Sequence, residues 1–239
     1  MLSIIIPCYN EEKNLRELLN KIEILLAKFF NQKIEVILVD NGSTDKSCDI
    51  LENNHLYNKD KIKLVKIKNN LGYGNGVIQG IRNSKGDYIA WLHADLQVDP
   101  IDVVEIFNSK KARLEKEQCI VKGLRINRGL LDKIFTTGMS ILTFFLFGEK
   151  IIDINAQPKI FTRSLIKIFD NAPNDFSLDL FFLLLAKKNN IRIYEHNVVW
   201  HKRYAGEAKG GGSFKLKLKL TMRTLKYMIE LKKKNKWNL

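Results

Sequence analysis

The segment from Trp91 to Pro100 holds three side chains suited to metal and phosphate chemistry. The apolar run before it, residues 88–92, predicts a buried strand, because a short apolar run after a Gly-Asp turn fits a strand better than a helix. His93, Asp95 and Gln97 follow at alternate positions. A carboxylate and an amide oxygen are hard ligands for Mg²⁺ or Mn²⁺, which substrate phosphates usually help to hold. Taken alone, however, the segment is better explained as a polar turn with a surface aspartate.

Strand and helix patterns alternate along the chain, which predicts an α/β fold with right-handed crossovers and a mainly parallel central sheet flanked by helices. The predicted strands are residues 2–6, 34–39, 62–67, 88–92, 119–124, 158–162, 191–194 and 198–200. The predicted helices are residues 11–30, two helices that end near residues 53 and 83, and residues 102–117, 130–147, 164–169 and 176–188.

The loops after the first four strands, residues 7–11, 40–45, 69–76 and 93–97, are expected to meet on one rim of the sheet. Ligands bind at this rim in open α/β sheets. Glycines at 72, 74 and 76 in the third loop suit a nucleotide, because they allow close backbone approach at a helix start. Close helix packing explains these glycines equally well. They do not form a dinucleotide fingerprint, since Gln79 stands where its third glycine would be.

The composition predicts one large domain with an ordinary core, from 239 residues that are 45% hydrophobic. No apolar run reaches the roughly 18 residues of a bilayer span, and no secretory signal is recognisable. We therefore expect a soluble or membrane-surface protein. Cys8, Cys48 and Cys119 lack zinc or disulfide spacing, which fits a reducing cytoplasm.

The positive charge is concentrated at the carboxyl end. The net charge is +14, and residues 213–239 supply +8 of it, with nine Lys or Arg against one acid. Residues 214–220 alternate like a strand, but a helical apolar stripe and good helix formers favour a helix. This basic amphipathic segment suits an anionic membrane surface or simple solvation. Nucleic acid is not an expected partner, since no nucleic-acid-binding motif is recognisable.

The four loops together resemble those of family 2 glycosyltransferases, which have the GT-A fold. IIIPCYNE at 4–11 resembles the family's opening, VDNGSTD at 39–45 resembles VDDGSTD, NLGYGNG at 70–76 resembles NxGKGxA, and GDYI stands at 86–89. The resemblance spans about residues 2–209 and implies a GT-A domain over 1–212, followed by the basic segment 213–239. It also implies that the nucleotide of the donor is bound by Pro7, Tyr9, Glu11, Asp40, Asn41, Gly74, His93 and Ala94.

Within the family, the fourth loop is similar to that of the polyprenyl-phosphate branch, whose pattern is Asp-x-Asp-x-Gln. This similarity implies that Asp95 and Gln97 hold Mn²⁺ or Mg²⁺. His93 replaces the first Asp of the pattern, and three roles are open for it. It ligates Mn²⁺, it bonds a diphosphate oxygen when protonated, or it only caps the strand.

Gly123-Leu-Arg125 resembles the branch's GSR motif, in which the arginine contacts the acceptor phosphate. Arg128 is either a second phosphate ligand or a solvated loop charge. The family usually has a further arginine near the start of the next helix, and Lys133 is the candidate to replace it as an acceptor-phosphate ligand. That helix, residues 130–147, matches the family's membrane-interface helix. We expect part of it to lie in lipid, with a buried core helix as the alternative.

The segment from Trp200 to Lys209 resembles the branch's RxxGESK loop, which implies that Arg203 and Lys209 bind the donor diphosphate. Asn155 and Gln157 either contact the sugar or satisfy a turn. Asp179 is either the acid of the family's second half or an acid favoured by a helix N-terminus.

These resemblances imply an inverting, metal-dependent transfer from a UDP- or GDP-sugar to undecaprenyl or dolichyl phosphate on the inner face of the cell membrane. Asp95, Arg125 and Asp179 would serve catalysis. A phosphate nucleophile is already ionised and needs no strong base. Transfer to a saccharide hydroxyl in cell-surface polysaccharide synthesis is the alternative, and there Asp179→Asn should abolish transfer that phosphate acceptors would retain. A non-catalytic nucleotide-sugar binder is a second alternative. A separate membrane protein or a second copy of the chain is a further candidate partner.

Overall fold

A seven-stranded sheet forms the centre of the computed structural model, which describes residues 1–58, 61–206 and 214–233. The strands are β1 (Leu2–Cys8), β2 (Ile34–Asp40), β3 (Ile62–Lys66), β4 (Tyr88–Trp91), β5 (Cys119–Ile126), β6 (Lys159–Thr162) and β7 (Arg192–Val199). The α-helices are α1 (Glu12–Lys28), α2 (Ser47–Glu52), α3 (Tyr73–Asn83), α4 (Pro100–Lys116), α5 (Leu130–Phe147), α6 (Leu178–Lys188) and α7 (Phe214–Lys233). The 3₁₀ helices are His55–Asn58 and Arg163–Asn171.

The strand order is β3-β2-β1-β4-β6-β5-β7. β3, β2, β1 and β4 are mutually parallel, β6 runs antiparallel between β4 and β5, and β7 is parallel to β5. The predicted α/β class with a mainly parallel sheet is therefore confirmed. The prediction of separate strands at 191–194 and 198–200 was wrong. β7 is continuous because it pairs with β5 from Arg192 through Val199.

Two apolar layers cover the sheet, one on each face. α1, α2 and α4 pack on one face, where Leu15, Leu18 and Val103 are fully buried. α3 and α6 pack on the other face with Met228 and Leu231 of α7. Strands buried on both faces read as continuous apolar runs, which is why β1 was recognisable from sequence. The predicted helical tail is confirmed over Phe214–Lys233, and this helix is docked on the domain.

Helix α5 lies on the outside of the molecule against α7. Of its residues, Thr143 alone is buried, so the buried-core alternative is wrong. The helix is long and apolar enough, by length and composition, to cross a membrane, and this corrects the expectation that no segment reaches that length. That expectation counted uninterrupted apolar residues, whereas the small and weakly polar residues at 136–140 continue the helix without adding charge.

Candidate active site

A cavity of about 610 Å³ lies at the carboxyl ends of β1, β2 and β4. Its walls are the loops after these strands, the segment after β5, and helices α5 and α7. The cavity brings together most of the residues predicted from sequence: Pro7, Tyr9, Glu11, Asn41, His93, Ala94, Asp95, Gln97, Arg125, Arg128, Asn155, Asp179 and Arg203.

The other five predicted residues either do not line the cavity or lie outside the residues that the structure describes. Asp40 is buried behind the cavity, where its carboxylate accepts the backbone N–H of Ser43 at 3.2 Å and shapes the loop. Lys133 is exposed on α5 and does not line the cavity, and neither does Gly74 or Gln157. Lys209 lies outside the described residues.

The glycines at the start of α3 pack against protein backbone. A Cβ on Gly74 would lie 2.3 Å from the carbonyl oxygen of Pro173, and one on Gly72 would lie 2.4 Å from that of Asn174. The N–H of Asn75 donates to the same Asn174 carbonyl at 2.9 Å. Close packing against the loop before α6 therefore accounts for Gly72 and Gly74.

Arg203 connects the loops after β1 and β4. Its guanidinium forms ion pairs with Glu11 at 2.5 Å and with Asp95 at 3.1 Å. The other oxygen of Asp95 accepts the N–H of Gln97 at 3.2 Å. The predicted donor-side residues thus lie within one charged cluster, in which Arg203 neutralises carboxylates that would otherwise repel a diphosphate.

The chemistry of the donor set fits a divalent ion that binds together with phosphate. Among the described residues, no three His, Cys, Asp or Glu side chains cluster as a metal site. Asp95 and Gln97 nevertheless place a carboxylate and an amide on the cavity wall. Mg²⁺ is commonly held by one or two carboxylates and completed by substrate phosphates and water. The two residues suffice for such an ion.

Arg125 is fixed by Asp153, which lies in the loop before β6. Its Nε donates to both carboxylate oxygens at 3.1 Å, and its backbone N–H donates to Oδ2 at 3.0 Å. The ring of Trp200 lies 4.7 Å from the guanidinium carbon and adds a cation–π contact. Burial alone would raise the pKa of Asp153, but the hydrogen bonds and charge of Arg125 outweigh it and hold the pKa below its usual value.

Arg128 is a buried cation in the cavity wall. Its side chain is 7% exposed and forms a 3.3 Å ion pair with Asp153, while Nη2 donates to Thr136 at 2.9 Å. Its Nε is buried without a hydrogen-bond partner among the described residues. Burial lowers the pKa of Arg128, and the charge of Arg125 lowers it further. The solvated-charge explanation is therefore wrong, and two arginines sharing one carboxylate leave net positive charge here.

Asp179 faces the cavity from the first turn of α6, but it is already engaged by protein groups. Lys159, which is fully buried, forms an ion pair with its Oδ1, and the amide of Gln157 donates to the same oxygen at 3.1 Å. Burial lowers the pKa of Lys159. Two buried donors therefore already occupy Oδ1 of Asp179, and this oxygen is not free to face a substrate.

Tyr73 was not predicted as a site residue. Its hydroxyl accepts from Gln157 Nε2 at 3.2 Å and lies 3.1 Å from His93 Nε2, and its ring stacks on Phe176. Burial raises the pKa of Tyr73 well above its usual value and lowers the pKa of His93. The one sequence signal was a departure from pattern, because Tyr73 stands where NxGKGxA has lysine.

Helix α7 was also not predicted to reach the site. Lys217, Thr221, Arg223 and Thr224 line the cavity. Lys217 pairs with Asp132 of α5 at 2.5 Å. The spacing 217, 221, 224 marks one helical face, which was the available signal.

Residues 3–178 match the model of glycosyl transferase family 2. The chain belongs to this family. The glycosyltransferase resemblance noted in its loops is thereby confirmed.

Several members of the family with described activities are similar to the chain. A dolichyl-phosphate beta-glucosyltransferase of Trichomonas vaginalis is 26% identical over 96% of this chain and 74% of its own length. The dolichyl-phosphate beta-glucosyltransferase of Saccharomyces cerevisiae is 24% identical over 98% of this chain and 77% of its own. An undecaprenyl-phosphate 4-deoxy-4-formamido-L-arabinose transferase of Edwardsiella ictaluri is 33% identical over 87% of this chain, which spans 62% of that relative.

Two solved enzyme structures share the fold. Glucosyl-3-phosphoglycerate synthase of Mycobacterium tuberculosis, in complex with Mn²⁺, UDP and glucosyl-3-phosphoglycerate, superposes with a TM-score of 0.71 at 16% identity, covering 97% of this chain and 79% of that one. A mannosyltransferase of Pyrobaculum calidifontis with GDP-Man and Mn²⁺ gives a TM-score of 0.61 at 18% identity, covering 88% and 58%. The family 2 domain described here therefore has the GT-A fold.

Proposed function

We propose that this glycosyltransferase moves a sugar from a nucleotide-diphosphate donor to a polyprenyl phosphate, with a divalent metal ion at the donor. The observation that carries the proposal is that the cavity wall contains two chemically distinct groups of side chains. One group is the oxygen ligands of Asp95 and Gln97, and the other is the pair Arg125 and Arg128, which contacts the apolar helix α5 through Thr136. The similar dolichyl- and undecaprenyl-phosphate transferases support a lipid phosphate as acceptor.

On the donor side, charge neutralisation is the main requirement, because a nucleoside diphosphate leaves as an anion. Asp95 and Gln97 would hold Mn²⁺ or Mg²⁺, which supplies Lewis-acid stabilisation of that leaving group when bound. Arg203 lies beside them and donates charge-assisted hydrogen bonds. Lys209 is proposed to join it. The experiment below determines whether the donor carries UDP or GDP.

On the acceptor side, Arg128 offers the clearest anion contact. Its Nε is buried without a hydrogen-bond partner in the part of the chain that the structure describes, and Arg125 beside it is held by hydrogen bonds to Asp153. A phosphate monoester fits this position, since its oxygens accept from several guanidinium donors. Its ionised oxygen attacks the anomeric carbon without a general base. The engagement of Asp179 by Lys159 favours this nucleophile over a saccharide hydroxyl.

The protein is proposed to act on the inner face of the cell membrane. Leu130, Leu131, Ile134, Ile141, Phe144 and Phe145 of α5 are exposed. A surface of this kind, next to a lysine-rich helix, suits an anionic lipid interface. It would bring the lipid phosphate to the arginine end of the cavity.

The test incubates purified protein with Mn²⁺, undecaprenyl phosphate and a panel of UDP- and GDP-sugars, and measures nucleoside diphosphate release. Undecaprenol, which lacks the phosphate, serves as the matched acceptor. We expect release only with the phosphate lipid, and we expect it to disappear in Asp95→Ala. Arg128→Met should abolish lipid-dependent release, whereas Arg82→Met, at an exposed arginine, should not. Release with undecaprenol or a saccharide instead would reject the phosphate acceptor.

Asp179→Asn is not a clean test of the acceptor class. The substitution leaves the buried ammonium of Lys159 without its counter-charge. Removing one partner of a buried ion pair typically costs about 3–5 kcal/mol of stability. Loss of activity in this variant would therefore report misfolding as readily as a missing base, which is why the acceptor is varied instead.

A further inference from the structure

His93 replaces the first carboxylate of the metal motif, and the structure places it at one end of a buried hydrogen-bond chain. The chain runs from Lys159 through Asp179, Gln157 and Tyr73 to His93. Each contact in it has a direction set by which atoms can donate. Those directions determine what the two ring nitrogens of His93 can do.

The chain is anchored by the ammonium of Lys159, which has only donors. It donates to Oδ1 of Asp179, so that this oxygen is an acceptor in the ion pair. The Gln157 side chain facing Asp179 must then present its NH₂ group, as the opposite orientation would set two acceptor oxygens together. The same NH₂ group donates to the Tyr73 hydroxyl at 3.2 Å.

Tyr73 consequently accepts from Gln157 and has its own hydroxyl proton left to donate. The ring nitrogen Nε2 of His93 lies 3.1 Å from that hydroxyl and is the acceptor available to it. A neutral imidazole that accepts at Nε2 carries its proton on Nδ1. His93 lines the cavity, and Nδ1 has no protein partner among the described residues.

We propose that His93 is not a metal ligand but a neutral hydrogen-bond donor to an oxygen of the bound nucleotide, held in the Nδ1–H tautomer by Tyr73. In this tautomer neither ring nitrogen keeps a lone pair for a metal. Ligation through Nδ1 would require the Nε2–H tautomer, which leaves the hydroxyl proton of Tyr73 without an acceptor among the described residues. The proposal rests on the proposed function in taking the cavity as the nucleotide and metal site. Tyr73 is a positioning residue here, since it acts on substrate only through His93.

Binding of the metal should depend on the nucleotide. With His93 removed from the ligand set, Asp95 and Gln97 are the protein ligands at this position, and Arg203 already pairs with Asp95. The free protein then binds Mn²⁺ weakly, and the diphosphate supplies the missing ligands. Metal and nucleotide should bind cooperatively.

The first arm of the test reads the tautomer directly by ¹H–¹⁵N NMR of the histidine rings, with His93 assigned among the chain's 4 histidines by loss of its signals in His93→Asn. We expect the proton on Nδ1 in the wild type. In Tyr73→Phe, which keeps the ring stacked on Phe176, we expect the Nδ1–H preference to be lost. A wild-type ring protonated on Nε2, or an unchanged ring in Tyr73→Phe, would overturn the inference.

The second arm measures binding without turnover. Mn²⁺ alone is titrated by the electron paramagnetic resonance signal of the free ion, and UDP and GDP are titrated by calorimetry with Mn²⁺ present. His93→Ala should leave the affinity for Mn²⁺ alone unchanged but weaken nucleotide binding about tenfold, the effect of one charge-assisted hydrogen bond. His93→Asn keeps an N–H near the Nδ1 position and should retain most of the affinity for the nucleotide. His93→Asp should bind Mn²⁺ alone about tenfold tighter or more, as an added carboxylate ligand.

The outcomes separate this inference from the proposed function. If His93→Ala loses affinity for Mn²⁺ alone as Asp95→Ala does, His93 is a ligand and the inference is wrong whatever the enzyme transfers. If no nucleotide binds the wild type, the proposed function fails, while the tautomer and the Mn²⁺ titrations still decide the state of His93.

Discussion

Asp153 is the shared counter-ion of the two arginines proposed to bind the acceptor phosphate. It accepts hydrogen bonds from Arg125 and forms an ion pair with Arg128, and it is 2% exposed. It also has φ of +47°, a backbone conformation that Asn tolerates as well as Asp. Replacement by Asn therefore changes its charge without adding backbone strain.

Asp153→Asn should lower the free energy of unfolding by about 3–5 kcal/mol, because it leaves two guanidinium groups without their buried counter-charge. The sign of the pH dependence follows from the lowered pKa of Asp153 in the folded state. Its stabilising contribution is present above the unfolded value of about 4 and is lost as pH falls through the lower folded value. Urea unfolding of wild type and variant at pH 7 and near pH 3 checks this. The gap between the two proteins should narrow in acid, and a constant gap would contradict the role of the charge.

The location of individual site residues could be predicted from the sequence where it depended only on which residues follow the ends of strands. His93, Asp95 and Gln97 were predicted to meet the loops after β1 and β2, and the cavity contains them, since the carboxyl ends of parallel strands share one rim. The partners of Asp179 could not be predicted. Lys159 reaches Asp179 from β6, whose antiparallel insertion between β4 and β5 has no local sequence signature.

At the scale of elements, the fit between β5 and the segment before β6 depends on Gly123. A Cβ there would lie 2.0 Å from the backbone carbonyl oxygen of Gln157, and the N–H of Gly123 donates to the carbonyl of Pro158 at 2.8 Å. Gly123→Ala should force the two segments apart and lower stability by about 1–3 kcal/mol.

Gly138→Ala is the matched control, because among the described residues nothing outside the local helix backbone and the adjacent residues lies within 4 Å of the Cβ it would add in α5. Alanine in a helix interior should raise stability by about 0.5–1 kcal/mol. Thermal unfolding of both variants measures the contrast. Equal shifts in the two proteins would mean that the close approach of β5 to residues 157–158 is not what requires Gly123.

The outer surface of α5 should determine binding to lipid. Phe144 and Phe145 are 52% and 76% exposed near the end of the helix. Burying one phenylalanine in an apolar phase is worth about 1.5–3 kcal/mol, so Phe145→Glu should weaken binding to vesicles containing phosphatidylglycerol at least about tenfold. Phe30→Glu, at a 67% exposed phenylalanine beyond the end of α1, is the control and should bind as the wild type does. Co-sedimentation with vesicles gives the affinities, and equal loss in both variants would remove α5 from the interface.

At the scale of the whole molecule, Arg203 joins parts of the chain that are far apart in sequence. Its removal should change the affinity for metal and the affinity for nucleotide in opposite directions. In the free protein it pairs with Asp95 and Glu11, so Mn²⁺ at the proposed site must displace it from Asp95. Arg203→Ala should therefore bind Mn²⁺ alone more tightly than the wild type. In the presence of Mn²⁺, the same variant should bind UDP or GDP at least about tenfold more weakly than the wild type, since a charge-assisted hydrogen bond to the diphosphate is lost.

The control is Lys202→Ala, at the exposed neighbouring cation, which should change neither the affinity for Mn²⁺ nor the affinity for the nucleotide. Titration calorimetry with each ligand distinguishes the cases. A uniform loss of both affinities would indicate that Arg203 only holds the loops in place, whereas opposite shifts would show that one guanidinium occupies the metal's carboxylate in the free protein and the diphosphate in the complex.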